Sequence, residues 1–473
     1  MIRTRIAPSP TGLPHIGTIF QALINYAFAK KHGDKSGQFI VRIEDTDQSR
    51  LVKGAEQALF KALDWFGLTP DEKTYRQSER LKIYQKHAQQ LIDKQKAYYC
   101  FCSSDRLDKI RKQMQKDGQS PMYDGHCKNL TAKEVTEKLN KKQSYVIRMK
   151  IDKTSDPIIL HDSIRGDIQF DRNVIDDQIL LKSDGYPTYH LAVVVDDHLM
   201  KITHVIRGEE WISSAPKHVL LYQYFGWSPP EFIHTPLLRN PDKSKLSKRH
   251  DHASVHWYQE KGYLPSAILN FLATRVWNHP QNKEIFNLQE FIKHFKFKDM
   301  HIQSPVVDLD KLNWYNGVYI RNLSDIELLN YAKPFKPKNL PDEKLKQILP
   351  LIKQRIEYLS QIKDLTEYFI KDIKADVKLI KQQSKKPTSE IKPVLKQIYS
   401  AYSAVSDTDW QADKLDKVGH KLLETTGWKP RELFMTIRVI VTARTATPPL
   451  FDTMAVLGRT MVFNRITQAA KNI

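Results

Sequence analysis

His15 and Gly17 occupy the end of the stretch Ala7-Pro8-Ser9-Pro10-Thr11-Gly12-Leu13-Pro14-His15-Ile16-Gly17-Thr18, where a proline-stiffened turn gives way to a helical pattern. A helix N-terminus offers unpaired N–H groups and a positive dipole end to an anion. Gly17 removes a side chain that would block a nucleotide, and His15 can donate to a phosphate oxygen as charge develops there. Far downstream, Asn240-Pro241-Asp242-Lys243-Ser244-Lys245-Leu246-Ser247-Lys248-Arg249 sets two lysines three apart around a serine. A lysine on such a loop can neutralise a phosphoryl group during transfer. Each stretch has a plainer meaning when taken alone. Pro and Gly punctuate helices, and a basic loop in a basic protein is usually solvated.

These residues need elements to hold them. Ile2-Arg3-Thr4-Arg5-Ile6 alternates as a strand, and the helix after His15 repeats apolar residues every four positions until Gly33. Phe39 to Ile43 is a second strand, ending at the acidic Glu44-Asp45-Thr46-Asp47, and Ala55 to Phe66 is a helix with Leu59, Leu63 and Phe66 on one face. Strand and helix alternate over residues 1–85, which predicts the first half of a parallel, doubly wound α/β sheet with ligands beyond its strand ends. From 86 to 180 the pattern changes to charged helices and then short alternating strands such as Ser144 to Lys150, as an α+β insertion would. Val174 to about Trp227 returns to buried strands and helices, so 181–250 is expected to be the second half of the nucleotide fold. Residues 251–325 form a linking domain, and 326–473 read as helix after helix.

The 473 residues exceed what one core accommodates, and 41% hydrophobic content supports globular folding. A net charge of +20, from 74 Lys+Arg against 54 Asp+Glu, suits a polyanionic partner, although a lysine-rich proteome would produce much of the same excess. No apolar run approaches the roughly 20 residues that span a bilayer, and no leader-like N-terminus is visible, so no membrane association and a reducing, cytoplasmic setting are expected. Three cysteines are too few for a disulfide framework. All three lie in one short stretch, Cys100-Phe101-Cys102 with Tyr123-Asp124-Gly125-His126-Cys127. Such a cluster is either a zinc site or a set of buried thiols.

Together these blocks resemble a known family. His15-Ile16-Gly17-Thr18 and Lys245-Leu246-Ser247-Lys248-Arg249 are similar to the HIGH and KMSKS signatures of class I aminoacyl-tRNA synthetases. Pro8 to Gly12, Arg42 to Asp47, Ser183 to His190 and Val195 to His198 resemble bacterial glutamyl-tRNA synthetases in particular, and the resemblance covers essentially the whole chain. It implies a Rossmann-type catalytic domain, an insertion against the tRNA acceptor stem and all-α C-terminal anticodon-binding domains. It also implies activation of L-glutamate by ATP with Mg2+, then transfer to the 3′ end of tRNA(Glu), by a monomer. The implied ATP contacts are His15, Gly17, Glu210, Lys245, Leu246, Ser247 and Lys248, of which His15, Gly17, Lys245 and Lys248 carry the catalysis. The implied glutamate contacts are Arg5, Ala7, Ser9, Glu44, Tyr189, Arg207 and Trp211, because a planar Arg fork matches a carboxylate and Glu44 suits the ammonium. Arg5 and Glu44 could instead pair with each other, and Trp211 could belong to the core.

The cysteine spacing is similar to the zinc site of some glutamyl enzymes, with Cys100, Cys102 and Cys127 as ligands. Some relatives carry His two positions after the last cysteine, where this chain has Asn129, so Tyr123 or His126 is expected to complete the set. In the helical region, Arg355 matches the arginine that reads the third anticodon base in glutamate-specific relatives, and Arg438, Thr447, Pro448 and Leu450 resemble the rest of that platform. The alternative is a non-discriminating form that also charges tRNA(Gln). An adenylyltransferase of the same fold is disfavoured by the lysine loop and the helical third. A non-catalytic relative should lack His15 or Lys248, and this chain keeps both.

Overall fold

The computed structural model describes residues 1–33, 36–244, 246 and 251–473. Two compact units emerge, Met1–Tyr258 with Pro265–Leu309, and Gln259–Leu264 with Asp310–Ile473. In the first unit, β1 (Ile2–Ile6), β2 (Gly37–Ile43) and the short β3 (Tyr75–Arg76) form a parallel sheet in the order β1-β2-β3. The helix after the first motif, α1 (Ile16–Lys31), and α2 (Ala55–Trp65) fall where the apolar spacing placed them. Leu59, Leu63 and Phe66 are all buried.

Next come α3 (Leu81–Asp93) and β4 (Ala97–Cys100), then the charged α4 (Ser104–Lys116) and α5 (Ala132–Asn140). β4 thus interrupts the charged helices that were expected to come before any strand. The expected strand over 144–150 is trimmed to β5 (Val146–Met149), which lies antiparallel between β4 and β8 (Ile179–Leu181). The hairpin of β6 (Ile158–Asp162) and β7 (Gly166–Phe170) belongs elsewhere. Together with β9 (His204–Gly208) and β10 (Glu231–Thr235) it forms a sheet in the order β7-β6-β10-β9. The division expected near residue 180 therefore does not coincide with a break in the sheets.

Thr203 N–H donates to Arg3 O at 3.0 Å, and Arg3 N–H to Thr203 Oγ1 at 2.9 Å, so β1 runs beside β9. This is the switch point of a doubly wound fold, and the crevice for ligand opens beyond the C-terminal ends of β1 and β9. Two helices flank it, α6 (Tyr189–Leu199) and α7 (Ala215–Phe225). Leu191 to Asp197 is buried all round, including two aspartates, so α6 is a core helix despite its run of β-branched valines. The second unit is helical throughout its described elements, from Leu309–Asn322 to Arg459–Asn472. No helix among the described residues is long and apolar enough to cross a membrane.

Candidate active site and cysteine cluster

A cavity of about 580 Å³ opens at the switch point, within the size range of small-ligand sites. Its walls include Arg5 and Ala7 from the end of β1, His15 and Gly17 from the start of α1, and Glu44 just beyond β2. Tyr189, Arg207, Glu210, Trp211 and Leu246 of the expected set line it as well. Ser9 lines an adjoining hollow with Pro8, Thr11, His15 and Thr18. Lys245, Ser247 and Lys248 lie outside the described residues. The segment that follows them is tied to the first motif, since Val255 N–H donates to Pro14 O at 3.1 Å and Ser254 bridges to His15.

His15 caps α1, and its Nδ1 accepts the N–H of Gly17 at 3.0 Å. The ring proton of a neutral His15 therefore sits on Nε2, the tautomer that can donate. A Cβ on Gly17 would stand 3.0 Å from Nδ1, so the cap itself favours glycine here. A Cβ on Gly208 would stand 2.0 Å from Glu210 Oε2, the far end of an exposed and flexible side chain, so glycine here leaves that carboxylate room to fold back. The Glu210 carboxylate is folded over the end of β9.

Arg5 and Glu44 do not pair directly. Arg5 makes a two-pronged contact to Asp197, Nε to Oδ1 at 2.9 Å and Nη2 to Oδ2 at 3.0 Å. The partner of Glu44 is Arg42, which donates Nη2 to Oε1 at 3.0 Å and Nη1 to Asp197 Oδ1 at 2.6 Å. Residues 42 and 44 project from the same face of the strand, so the guanidinium reaches its own neighbour but one. Burial pushes the Glu44 carboxyl above its ordinary value in spite of Arg42 and Arg5. Burial also opposes the charge on Asp197, but Arg5 and Arg42 outweigh it and hold that carboxyl below the usual range. Asp196, the preceding residue of α6, lies 3.8 Å from Arg42 Nε and accepts from Gln77, Arg80 and Tyr84 at 2.8–3.0 Å.

Arg207 is the second cation of the cavity, and it is buried. Nε donates to His234 Nε2 at 3.0 Å, and Nη1 to Tyr189 OH and His218 Nδ1, both at 3.2 Å. Nη2 is buried and has no partner among the described residues. Arg207 lines the cavity, and buried guanidinium nitrogens are normally paired, so its unused donor capacity suits an anionic ligand there. Trp211 is not core; its ring lies against Tyr189 with centroids 4.3 Å apart, and both line the cavity.

Sequence reasoning missed Asp197, Arg42, His218, His234 and Asp162. One signal was present: Asp196-Asp197 directly follows the apolar Leu191 to Val195, and carboxylates that continue a buried helix must find cations. Nothing local marks His234.

The cysteine cluster lies in the same unit. The Sγ atoms of Cys100, Cys102 and Cys127 fall within 4.8 Å of one another, with Cys102 and Cys127 at 3.6 Å. Thiolates each about 2.3 Å from one tetrahedral zinc stand about 3.8 Å apart, close to the Cys102–Cys127 separation. Tyr123 OH lies 3.3 Å from Cys100 Sγ and 3.4 Å from Cys102 Sγ, beneath the Arg148 guanidinium 4.0 Å from its ring. His126 is exposed and outside the cluster, so of the two expected fourth donors only Tyr123 is in place. Burial opposes ionisation of the Cys100 thiol, but the Tyr123 hydroxyl, the Cys102 N–H and Arg148 together hold it below its ordinary value.

In the second unit, Arg355 Nη2 donates to Thr447 O at 2.7 Å, and Arg438 Nη1 to Thr447 O at 3.2 Å and Pro448 O at 2.7 Å. Burial, and then the nearby Arg355, lower the Arg438 guanidinium below its usual value. Neither arginine pairs with a carboxylate among the described residues. Thr447, Pro448 and Leu450 are all buried, and the Thr447 and Pro448 carbonyls are taken up by the two arginines.

Residues 1–314 match the model of the catalytic domain of class I tRNA synthetases (E and Q), and residues 327–470 match an anticodon-binding domain. The chain is 44% identical over 469 residues to a glutamate–tRNA ligase of Marinomonas sp. (strain MWYL1), covering 97% of this chain and 93% of that one. It is 40% identical over 492 residues to a glutamate–tRNA ligase of Finegoldia magna, covering 99% of each. Among solved structures, a glutamate tRNA ligase from Elizabethkingia meningosepticum, in complex with its amino acid, superposes with a TM-score of 0.90 at 34% identity over 99% of both chains.

Proposed function

The chain belongs to the glutamate–tRNA ligases of the class I synthetases, and from that premise we propose how its own residues carry out the reaction. The enzyme activates glutamate with ATP and passes the glutamyl group to tRNA. The unpartnered Nη2 of buried Arg207 is the observation that carries the assignment of the amino-acid pocket. Arg207 takes one carboxylate of glutamate. Arg5, anchored by Asp197, supplies the second cation. Glu44, steadied by Arg42, meets the ammonium, while Tyr189 and Trp211 form the wall and Ala7 and Ser9 the turn beneath.

The amino acid's carboxylate attacks the α-phosphate of ATP, and pyrophosphate leaves. Neither this step nor the attack of the tRNA ribose hydroxyl on the anhydride needs a covalent enzyme intermediate. Positioning and stabilisation of spreading negative charge therefore do the work. His15 Nε2–H donates toward the phosphates, Gly17 leaves them room, and Glu210 and Leu246 border the nucleotide. Lys245, Ser247 and Lys248 supply positive charge and hydrogen bonds to its phosphates. Class I synthetases use ATP, typically with Mg2+, which offsets phosphate charge when bound.

Cys100, Cys102, Cys127 and Tyr123 hold one structural zinc ion. Arg355, Arg438, Thr447 and Pro448 face the anticodon, and the enzyme prefers tRNA(Glu) to tRNA(Gln). The direct test incubates the purified chain with ATP, glutamate and separate tRNA transcripts, and identifies the attached group by mass spectrometry. Glutamate on tRNA(Glu) is expected. Absence of charging, with ATP turnover toward another acceptor, would overturn the proposal.

A further inference from the structure

The chain of bonds behind Arg207 has a direction. A guanidinium only donates, so His234 Nε2 and His218 Nδ1, which it meets, must both accept. The proton of His234 therefore sits on Nδ1, and Asp162 Oδ2 receives it at 2.7 Å. Asp162 is itself saturated. Oδ2 also accepts the backbone N–H of His234 at 3.0 Å, and Oδ1 accepts the N–H groups of Ile164 and Arg165 at 3.1 and 3.0 Å. A donor stands before both oxygens, which only a carboxylate satisfies. Both side chains are fully buried. Burial weighs against charge on both. His234 is held below its ordinary value and stays neutral, while His234 and the backbone donors outweigh burial at Asp162 and keep it ionised.

We propose that Asp162 and His234 are positioning residues for glutamate, fixing the imidazole tautomer that accepts from Arg207 Nε and so holding the Arg207 guanidinium at the cavity for the substrate carboxylate. The inference rests on the assignment of Arg207 to a glutamate carboxylate. Neither residue touches substrate. Asp162 reaches the site from the β6–β7 hairpin, and Arg165 of the same turn clamps His234 O at 2.9 Å. A flipped tautomer would aim an N–H at the guanidinium and turn it away. The logic parallels that of a carboxylate that orients a catalytic histidine.

Two substitutions at His234 separate this role from simple packing. The amide of Asn reaches the place of Nδ1, so His234→Asn keeps a donor for Asp162 and loses the acceptor for Arg207. His234→Gln does the reverse, placing an amide oxygen near the position of Nε2. The proposal expects KM for glutamate to rise at least about tenfold in His234→Asn, as when a charged group loses one hydrogen bond, and by clearly less in His234→Gln. KM for ATP and for tRNA should stay within about twofold in both, with kcat less affected than KM for glutamate. Asp162→Asn turns an NH2 toward His234 and should raise KM for glutamate as His234→Asn does; it supplies the reading if neither His234 variant folds. A Gln variant as impaired as the Asn variant, or KM values for all three substrates rising together, would overturn the proposal. Arg207→Lys keeps the failures apart. An unchanged KM for glutamate there removes Arg207 from the pocket, whereas a raised one beside a normal His234→Asn removes only the positioning role.

Discussion

Asp197→Asn tests the charge architecture beneath the amino-acid pocket. Asp197 is 3% exposed and accepts three N–H bonds from two guanidiniums, Arg5 at 2.9 and 3.0 Å and Arg42 at 2.6 Å. An asparagine keeps the shape and one acceptor, but turns an NH2 toward a cation and leaves two like charges facing each other. Breaking a buried pair in this way costs about 3–5 kcal/mol, because the remaining charge stays desolvated. In a unit of this size each kcal/mol moves the melting temperature by about 2 °C, so a fall of about 6–10 °C is expected at neutral pH. Scanning calorimetry at one scan rate, on wild type and variant, measures it. KM for glutamate should rise in parallel as Arg5 loses its anchor. The pH dependence has a definite sign. Asp197 has a folded pKa below its unfolded value of about 3.9, so its contribution is complete above that pH and is lost only as pH falls through the lower folded value. The gap between the two proteins should therefore be flat from about pH 5.5 to 8 and close below about pH 4. A gap of less than about 2 °C at neutral pH, or one that closes near pH 6, would refute the ionised-anchor argument.

Lys248→Ala should abolish most glutamate activation while leaving the melting temperature unchanged, and near-normal charging by the folded variant removes this lysine from the chemistry. Elemental analysis should find about one zinc per chain, reduced in Cys100→Ser and Cys127→Ser and released to chelators faster in Tyr123→Phe; a zinc-free, fully active preparation makes the cluster a set of packed thiols. The wild type should prefer tRNA(Glu) over tRNA(Gln) by about tenfold to a hundredfold, the effect of about 1–3 kcal/mol of base discrimination, and Arg355→Gln should erase most of it; equal charging by the wild type or an unchanged preference in the variant refutes this. Glu44, raised by burial, should protonate above the ordinary carboxylate range, so KM for glutamate should climb as pH falls through that point. In Glu44→Gln this limb should vanish, leaving only the substrate's own titration, and its persistence there would exclude Glu44 as its source.

Local chemistry was legible in the chain itself. A strand, a rigid turn and a capped helix depend on neighbours within a few residues, which is why α1 and α2 lie where their spacing put them. The cysteine cluster was equally plain, because three thiols within 28 positions can scarcely avoid one another. Membership of the cavity came from the resemblance to known synthetases and not from residue pattern alone. Partnership did not follow. Arg5 finds Asp197 across 192 positions, and Arg207 finds His234 and His218 from a neighbouring strand and helix. Ionic pairing is decided by which charges share a desolvated space, and that space exists only once β1, β9, α6 and α7 have packed. Sequence alone left Arg5 and Glu44 free to pair; the packing gave each a different partner and left Arg207 Nη2 with none among the described residues. At the cysteines the turn placed Tyr123 inward and His126 outward, a choice made by backbone direction that no spacing rule contains.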